Sequence, residues 1–319
     1  MAPRIYIDGH VGTTGLRIRD WLGPRRDLEL LTAPEAARKD PGIRRDLVAE
    51  ADLAVLCLPD DASREAAAWA EAAGTRLVDA STAHRVAEGW EYGLPELAAD
   101  QRDRIRKADR VSNPGCYPTA VVLLVRPLVD AGLLSADVPL TVHALSGYTG
   151  GGRPLVEKWE DAEAGLLELP FEAPYALDRV HKHIPEMTRY SGLASPPQFV
   201  PAVGPFRCGM RVEIPLHGSL LPTGGESGKR IWEALSDRYS GEPFVDVVPI
   251  AEPLEADERR FDPRSCNDTN RIALHVVPHP SGHVLLVGLL DNLGKGACGG
   301  AIQCLNLMLE LEETAGLRR

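Results

Sequence analysis

Short apolar runs alternate with amphipathic stretches through the first third of the chain. Arg4–Asp8 reads as a strand, Gly15–Leu22 as a helix, Leu28–Thr32 as a second strand and Ile43–Glu50 as a second helix. The run LAVLCL, Leu53–Leu58, is apolar at every position and closes at Pro59, the pattern of a strand buried on both faces. Ser63–Ala73 is Ala-rich with helical period, and Arg76–Asp79 is a further strand ending in Asp79-Ala80-Ser81. Strands and helices taking turns at this spacing predict a parallel sheet with helices on both faces.

From about residue 140 the pattern changes. Strand-like segments at Thr141–Leu145, Phe199–Phe206, Arg211–Leu216, Phe244–Ile250, Arg271–Val277 and Val284–Leu290 are separated by Pro- and Gly-rich stretches. Helical patterns there are confined mainly to Pro154–Gly165 and Gly228–Ser240. This texture predicts a second, α+β domain around a mixed, largely antiparallel sheet. A closing helix is expected over Ala297–Ala315, after Gly294-Lys295-Gly296. The turn Ser112-Asn113-Pro114-Gly115 marks the domain boundary, and 319 residues suffice for two domains.

Composition narrows the function. Hydrophobic residues at 44% and charged residues at 25% are the ordinary globular balance, which rules out disorder and collagen-like repetition. The net charge of −11 argues against nucleic acid or an anionic membrane as partner, though not against a local basic pocket for a small anion. No apolar run approaches the roughly 18–20 residues that span a bilayer. The start MAPRIYIDGH is not a signal peptide, so a cytoplasmic protein is expected. Six cysteines form no CxxC pair and have no zinc spacing with His, so neither disulfides nor a metal are expected.

Four stretches carry candidate chemistry. Gly9, Gly12 and Gly15 fall in the turn between the first strand and first helix. There they allow a tight turn and let the backbone approach a pyrophosphate at a helix N-terminus, which predicts a dinucleotide site. No carboxylate ends the second strand to hold the ribose of NAD, and Arg38-Lys39 follow, which points to NADP. In SNPGCYPT, the turn residues before Cys116 and the long apolar run after it place the thiol at a helix start. That position favours a thiolate and makes Cys116 the candidate nucleophile. His181 and His183, in HKHIPEM, are candidates for the acid/base partner; in an extended stretch they would point to opposite sides, so only one would face the thiolate. The stretch Ser146–Arg153, SGYTGGGR, combines backbone donors, hydroxyls and a cation suited to phosphate or carboxylate, and Arg85 in DASTAHR is a similar candidate.

Together IDGHVGTTGLRIRDWL, CLPDDASREAA, DASTAHR, WEYGLPEL, SNPGCYPTA, SGYTGGGR, HKHIPEM and LDNLGKGACGGAIQCLNLML resemble the short form of N-acetyl-γ-glutamyl-phosphate reductase. That family lies within the superfamily of aspartate-semialdehyde and glyceraldehyde-3-phosphate dehydrogenases. Here His10 stands where the short form often has Glu. The resemblance implies a Rossmann domain, 1–115, completed by the closing helix 297–319, and a catalytic and dimerisation domain over 116–296. It implies NADPH-dependent reduction of N-acetyl-γ-glutamyl phosphate to the semialdehyde through a Cys116 thioester, in arginine biosynthesis, by a homodimer or homotetramer. Cofactor contacts are then expected at Gly9, Gly12, Thr13, Thr14, Gly15, Arg38, Ser81, Asn292 and Lys295, the last two closing over the nicotinamide. Substrate contacts are expected at Asn113, Ser146, Gly147 and Arg85, with an oxyanion donor at the Asn113 side chain or the Cys116 amide.

Overall fold

Side chains alternate across the strands of the first sheet, and both of its faces are apolar. The computed structural model describes residues 2–222, 226–250 and 259–319. Strands β1 (Arg4–Asp8), β2 (Glu29–Leu31), β3 (Leu53–Leu56), β4 (Arg76–Asp79), β5 (Glu91–Tyr92) and β6 (Arg110–Ser112) run in the order β2-β1-β3-β4-β6-β5, every pair parallel. Ile5, Ile7 and Val55 face a layer holding Ile18 and Leu22 of α1 (Thr13–Leu22). Tyr6, Ala54 and Leu56 face the other layer, against Val48 of α2 (Pro41–Glu50) and Ala66 and Ala70 of α3 (Asp60–Ala73). Period-two alternation with both faces apolar makes a doubly wound parallel sheet. A short α4 (Gln101–Lys107) and the two small strands β5 and β6 were not visible in the hydrophobic pattern, being too short to show a period.

The chain divides into two compact units, Met1–Gly115 with Ala297–Arg318, and Cys116–Gly296 with Arg319. In the second, α5 (Cys116–Asp130) is buried along nearly its whole length. Strands β7 (Thr141–Gly147), β8 (Ala173–Pro174), β9 (Gln198–Gly204), β10 (Met210–Leu216), β11 (Val245–Val247), β12 (Ile272–Pro278) and β13 (Val284–Leu290) form one sheet in the order β11-β12-β13-β10-β7-β9-β8. The pairs β12–β13, β13–β10, β10–β7 and β9–β8 are antiparallel, whereas β11–β12 and β7–β9 are parallel. The sheet is thus mixed and largely antiparallel. Helices α6 (Arg153–Glu160), α7 (Ile184–Ser191) and α8 (Ser227–Arg238) complete this unit, α7 and α8 packing on α5.

Pro127 sits inside α5. It has no N–H, so the carbonyl four residues earlier loses its helical donor. The Tyr239 hydroxyl replaces that donor, reaching the Leu123 carbonyl at 2.7 Å.

Two expectations need correction. The closing helix does not run to Ala315: a π-helical turn spans Gly294–Cys298, and α9 covers Gly299–Met308 only. Glu310 takes a left-handed φ of 56° and the Leu311 amide turns back to the Asn306 carbonyl at 2.8 Å, which ends the helix. The Asn306 amide then holds the tail by the carbonyls of Glu313 and Ala315, at 3.0 and 2.9 Å. The second correction concerns the histidines. The segment is not extended: it turns into α7 immediately after His183, whose backbone is helical (φ −87°, ψ −13°). The two imidazoles therefore lie together, their centroids 4.8 Å apart, instead of on opposite sides.

Candidate active site

In the second unit, β7 and β9 run parallel, with Ser146 opposite Val203 and Gly147 opposite Gly204. Beyond these strand ends lies a cavity of about 590 Å³ lined by Cys116, Tyr117, Ser146, Gly147, Tyr175, His181 and His183. Cys116 is the first residue of α5, where the dipole of a helix start favours negative charge. Gly296 closes in behind it. A Cβ added there would fall 2.7 Å from the Cys116 Cβ, so only glycine fits. The Asp291 carbonyl fixes this approach by accepting from Gly294 and Gly296, each at 3.0 Å.

The two imidazoles reach the cavity from the turn ahead of α7. The His183 backbone N–H donates to His181 Nδ1 at 3.2 Å, and His181 Nε2 lies 3.3 Å from the Tyr175 hydroxyl. Tyr175 in turn donates to the Tyr117 hydroxyl at 3.2 Å. Burial holds the Tyr117 phenol well above its ordinary range and pushes Tyr175 up to about 12, so both hydroxyls stay protonated near neutrality. Leu155, Trp159 and Leu166 give the cavity an apolar wall, and Lys158, Arg179 and Lys182 bring cations to it. Of the expected anion loop, Ser146, Gly147, Gly150 and Gly151 line the cavity. The amides of Gly147, Tyr148 and Thr149, however, are spent on the carbonyls of Gly209, Phe206 and Arg207 at 2.9, 3.0 and 3.1 Å. Asn292 serves the same tie: its Oδ1 accepts from Gly209 at 2.8 Å, and its Nδ2 donates to Thr149 Oγ1 at 3.0 Å. Lys295 is buried with its Nζ 5.7 Å from the Phe244 ring centre.

The first unit holds a separate cleft of about 440 Å³, lined by Gly9, His10, Gly12, Arg38, Lys39 and Arg44. Gly9 has a φ of 88°, and a Cβ on it would strike the Cys57 carbonyl at 2.3 Å. The Gly12 amide bonds back to the Gly9 carbonyl at 3.0 Å, and α1 starts at Thr13-Thr14 with no side chain capping it. Gly15 is buried, where a Cβ would lie 2.5 Å from the Gly9 carbonyl. Arg38 Nη1 pairs with Glu35 at 2.8 Å, while its Nε is buried with no hydrogen-bond partner among the described residues. A bare main-chain turn at an uncapped helix start, beside an orphaned guanidinium nitrogen, fits the phosphates of a nicotinamide dinucleotide. Arg44 serves the scaffold, gripping buried Asp8 with Nε and Nη2 at 3.0–3.2 Å.

Three expected contacts of this unit are engaged in its own scaffold, at the turns after β4 and β6. Asp79 accepts from Ser63 Oγ at 2.6 Å and from the Ser81 amide and hydroxyl at 2.9 and 2.7 Å, with His84 Nδ1 2.6 Å away. Arg85 donates to the carbonyls of Asn113 and Ala80 at 3.1 and 3.3 Å, and the Asn113 amide donates to the Ala297 carbonyl at 2.9 Å.

Two family models match the chain: the semialdehyde dehydrogenase NAD-binding domain over residues 29–107, and the semialdehyde dehydrogenase dimerisation domain over residues 116–292. N-acetyl-gamma-glutamyl-phosphate reductase 2 of Pseudomonas putida is 48% identical over 308 residues, covering 96% of this chain and 97% of its own. The reductase of Burkholderia cenocepacia is 46% identical, covering 98% and 99%. The chain belongs to the N-acetyl-γ-glutamyl-phosphate reductase family. As a member of that reductase family it is an oxidoreductase with a nicotinamide-binding domain and a dimerisation domain. Aspartate semialdehyde dehydrogenase II of Vibrio cholerae, solved with ASA, superposes with a TM-score of 0.70 at 14% identity, over 97% of this chain and 99% of that one. The Candida albicans enzyme, solved with NADP, gives 0.64 at 14%, over the same shares. These two likenesses carry the fold alone.

Sequence reasoning did not pick out Tyr117, Tyr175, Trp159 or the cavity cations in this reductase. Tyr117 stood inside a motif already chosen for its neighbour, and an adjacent phenol was a usable signal. Tyr175 follows a two-residue strand and had none.

Proposed function

We propose that the protein reduces N-acetyl-γ-glutamyl phosphate to N-acetyl-glutamate 5-semialdehyde and phosphate, with NADPH, in the cytoplasm, as a step of arginine biosynthesis. The observation that carries this reading is the meeting of Cys116 with His181 and His183 in one cavity, in a chain of this family. The Cys116 thiolate attacks the γ-carbonyl carbon, a C–S bond forms, and the C–O bond to phosphate breaks with its electron pair leaving on phosphate. The resulting thioester shields the acyl group from hydrolysis. When bound, a reduced nicotinamide supplies the hydride that turns the thioester into a thiohemiacetal. An imidazole of the His181/His183 pair provides the proton for its oxygen and takes it back as the C–S bond breaks. Lys158, Arg179 and Lys182 supply charge opposite to the substrate's carboxylate and phosphate. The main chain of Gly9 and Gly12 suits the pyrophosphate, and the Arg38 Nε favours the extra phosphate of NADP. Six free cysteines suit a reducing compartment.

The test runs the reaction backwards, with N-acetyl-glutamate 5-semialdehyde, inorganic phosphate and NADP⁺ or NAD⁺, following nicotinamide absorbance. Phosphate-dependent reduction of NADP⁺, absent with aspartate semialdehyde, is expected. A signal with aspartate semialdehyde alone would keep the thioester chemistry and overturn the substrate.

A further inference from the structure

The thiol and the imidazoles account for the chemistry above, but not for the phenol that His181 faces. The resting tautomer of that ring is written in its neighbours. Nδ1 accepts the His183 backbone N–H at 3.2 Å, so it carries no proton there. The single proton of the neutral ring then sits on Nε2, which faces the Tyr175 oxygen at 3.3 Å. Tyr175 is free to accept it, because its own proton goes onward to the Tyr117 oxygen at 3.2 Å. All three bonds thus point one way, from the His183 amide through the imidazole to the two phenols, and no link needs an ionised group.

We propose that Tyr175 is a positioning residue, which holds His181 as the neutral Nε2–H tautomer and fixes its ring plane so that the imidazole enters the reaction as a proton donor through Nε2. The proposal rests on the reading above for what the donor serves, but not for the tautomer itself. The Nδ1–H tautomer would set two N–H groups against each other at His183, and a ring turned over would put carbon where each nitrogen meets its partner. The aromatic faces resist that turn. Phe199 and Tyr117 meet the His181 ring nearly edge-on, at centroid distances of 5.1 and 6.0 Å and interplanar angles of 80° and 82°. Tyr175 is held in its turn by main chain, its amide donating to the Pro201 carbonyl at 3.1 Å beside β9. The hydroxyl therefore comes to His181 from a fixed support, as orientation of a catalytic imidazole requires. The role differs from that of a substrate contact. Loss of orientation reduces the rate of the proton-transfer step and leaves ground-state binding alone.

The experiment is imidazole nitrogen-15 NMR on the full chain, with the His181 signals assigned by their loss in His181→Asn, beside steady-state kinetics. Wild type is expected to show His181 as the Nε2–H tautomer at neutral pH. Tyr175→Phe keeps the ring and removes only the hydroxyl. It is expected to show a mixture of tautomers and a kcat lower by about 10- to 100-fold, within the range for a misplaced acid/base group, with KM values within about twofold. In the double variant Tyr175→Phe/His181→Asn the loss should be no greater than in His181→Asn alone. An Nδ1–H tautomer in wild type overturns the proposal even if the variant does not fold. So does a Tyr175→Phe enzyme with unchanged tautomer, or one with a raised KM and unchanged kcat. Wild type that shows the tautomer but reduces no acyl phosphate sinks the proposed reaction and leaves the positioning of His181 standing.

Discussion

The glycine cleft of the first unit and the cysteine cavity of the second present their binding groups by opposite means. In the cleft the main chain does the presenting, at Gly9 and Gly12, while the charged side chains around it are largely paired with each other: Arg44 with Asp8, Arg38 with Glu35. In the cavity the roles reverse. The amides of residues 147–149 are consumed by the 206–209 loop, and the wall is made of side chains: a thiol, two imidazoles, two phenols and three cations. A site built of backbone tolerates most side-chain changes except at its glycines and its scaffold ions. A site built of side chains loses its chemistry one atom at a time. Substitutions in the two regions should therefore separate binding from turnover.

The largest effect is expected in the cavity. Cys116→Ser should lower turnover by a factor on the order of 10³ or more, while NADPH binding, followed by fluorescence titration, changes less than about twofold. A near-normal rate would remove the nucleophile from the scheme, and lost cofactor binding would mean that the two regions are not separable. Next comes the scaffold of the cleft. Asp8→Asn leaves the Arg44 guanidinium, with 10% of its side chain exposed, without its carboxylate. Breaking a buried pair from one side costs about 3–5 kcal/mol. A urea midpoint equal to wild type would show that Arg44 finds another acceptor. Smaller again, Arg38→Ala should cut discrimination for NADPH over NADH by about tenfold, near 1.4 kcal/mol, with kcat at saturating cofactor unchanged. Equal losses for both dinucleotides would leave Arg38 a general cation of the cleft.

The same contrast explains what could be read in the sequence. Backbone sites leave local marks: a glycine needed for a left-handed turn sits beside the strand and helix it joins, so the cleft and the parallel sheet were legible from a short window. Continuous apolar runs such as LAVL showed strands buried on both faces. Side-chain sites leave scattered marks. Nothing in the spacing tells that the residue after β8 meets a ring ahead of α7, and Tyr175 went unseen. Period two misled at His181 and His183, because Pro185 in the first turn of α7 makes His183 the helix entry. The closing helix was drawn too long because its apolar pattern continues through Leu309 and Leu311, both packed on the core, after the helical bonds have ended. Burial was legible there, but the backbone was not.

The finest test of the comparison lies in the turn after β4, where a side chain serves the backbone of the first unit. Asp79 is fully buried, and burial alone would raise its carboxyl. His84, Ser63 and Ser81 together outweigh that and hold it below the ordinary carboxylate range. A carboxyl depressed in the folded state binds its proton more readily when unfolded, so it contributes stability above the unfolded carboxylate range, about pH 4. That contribution is lost as the pH falls through the folded value. Other carboxylates give wild type an acid limb as well, so the informative quantity is a difference. Between about pH 6 and pH 3, wild type should lose more unfolding free energy in urea than Asp79→Asn does, although the variant starts lower. His84 stacks on Trp90 at 4.0 Å and is held by that ring as well as by Asp79, so the variant should keep its fold. Parallel pH curves would mean that the donors do not hold Asp79 ionised, and that this turn is fixed by packing alone.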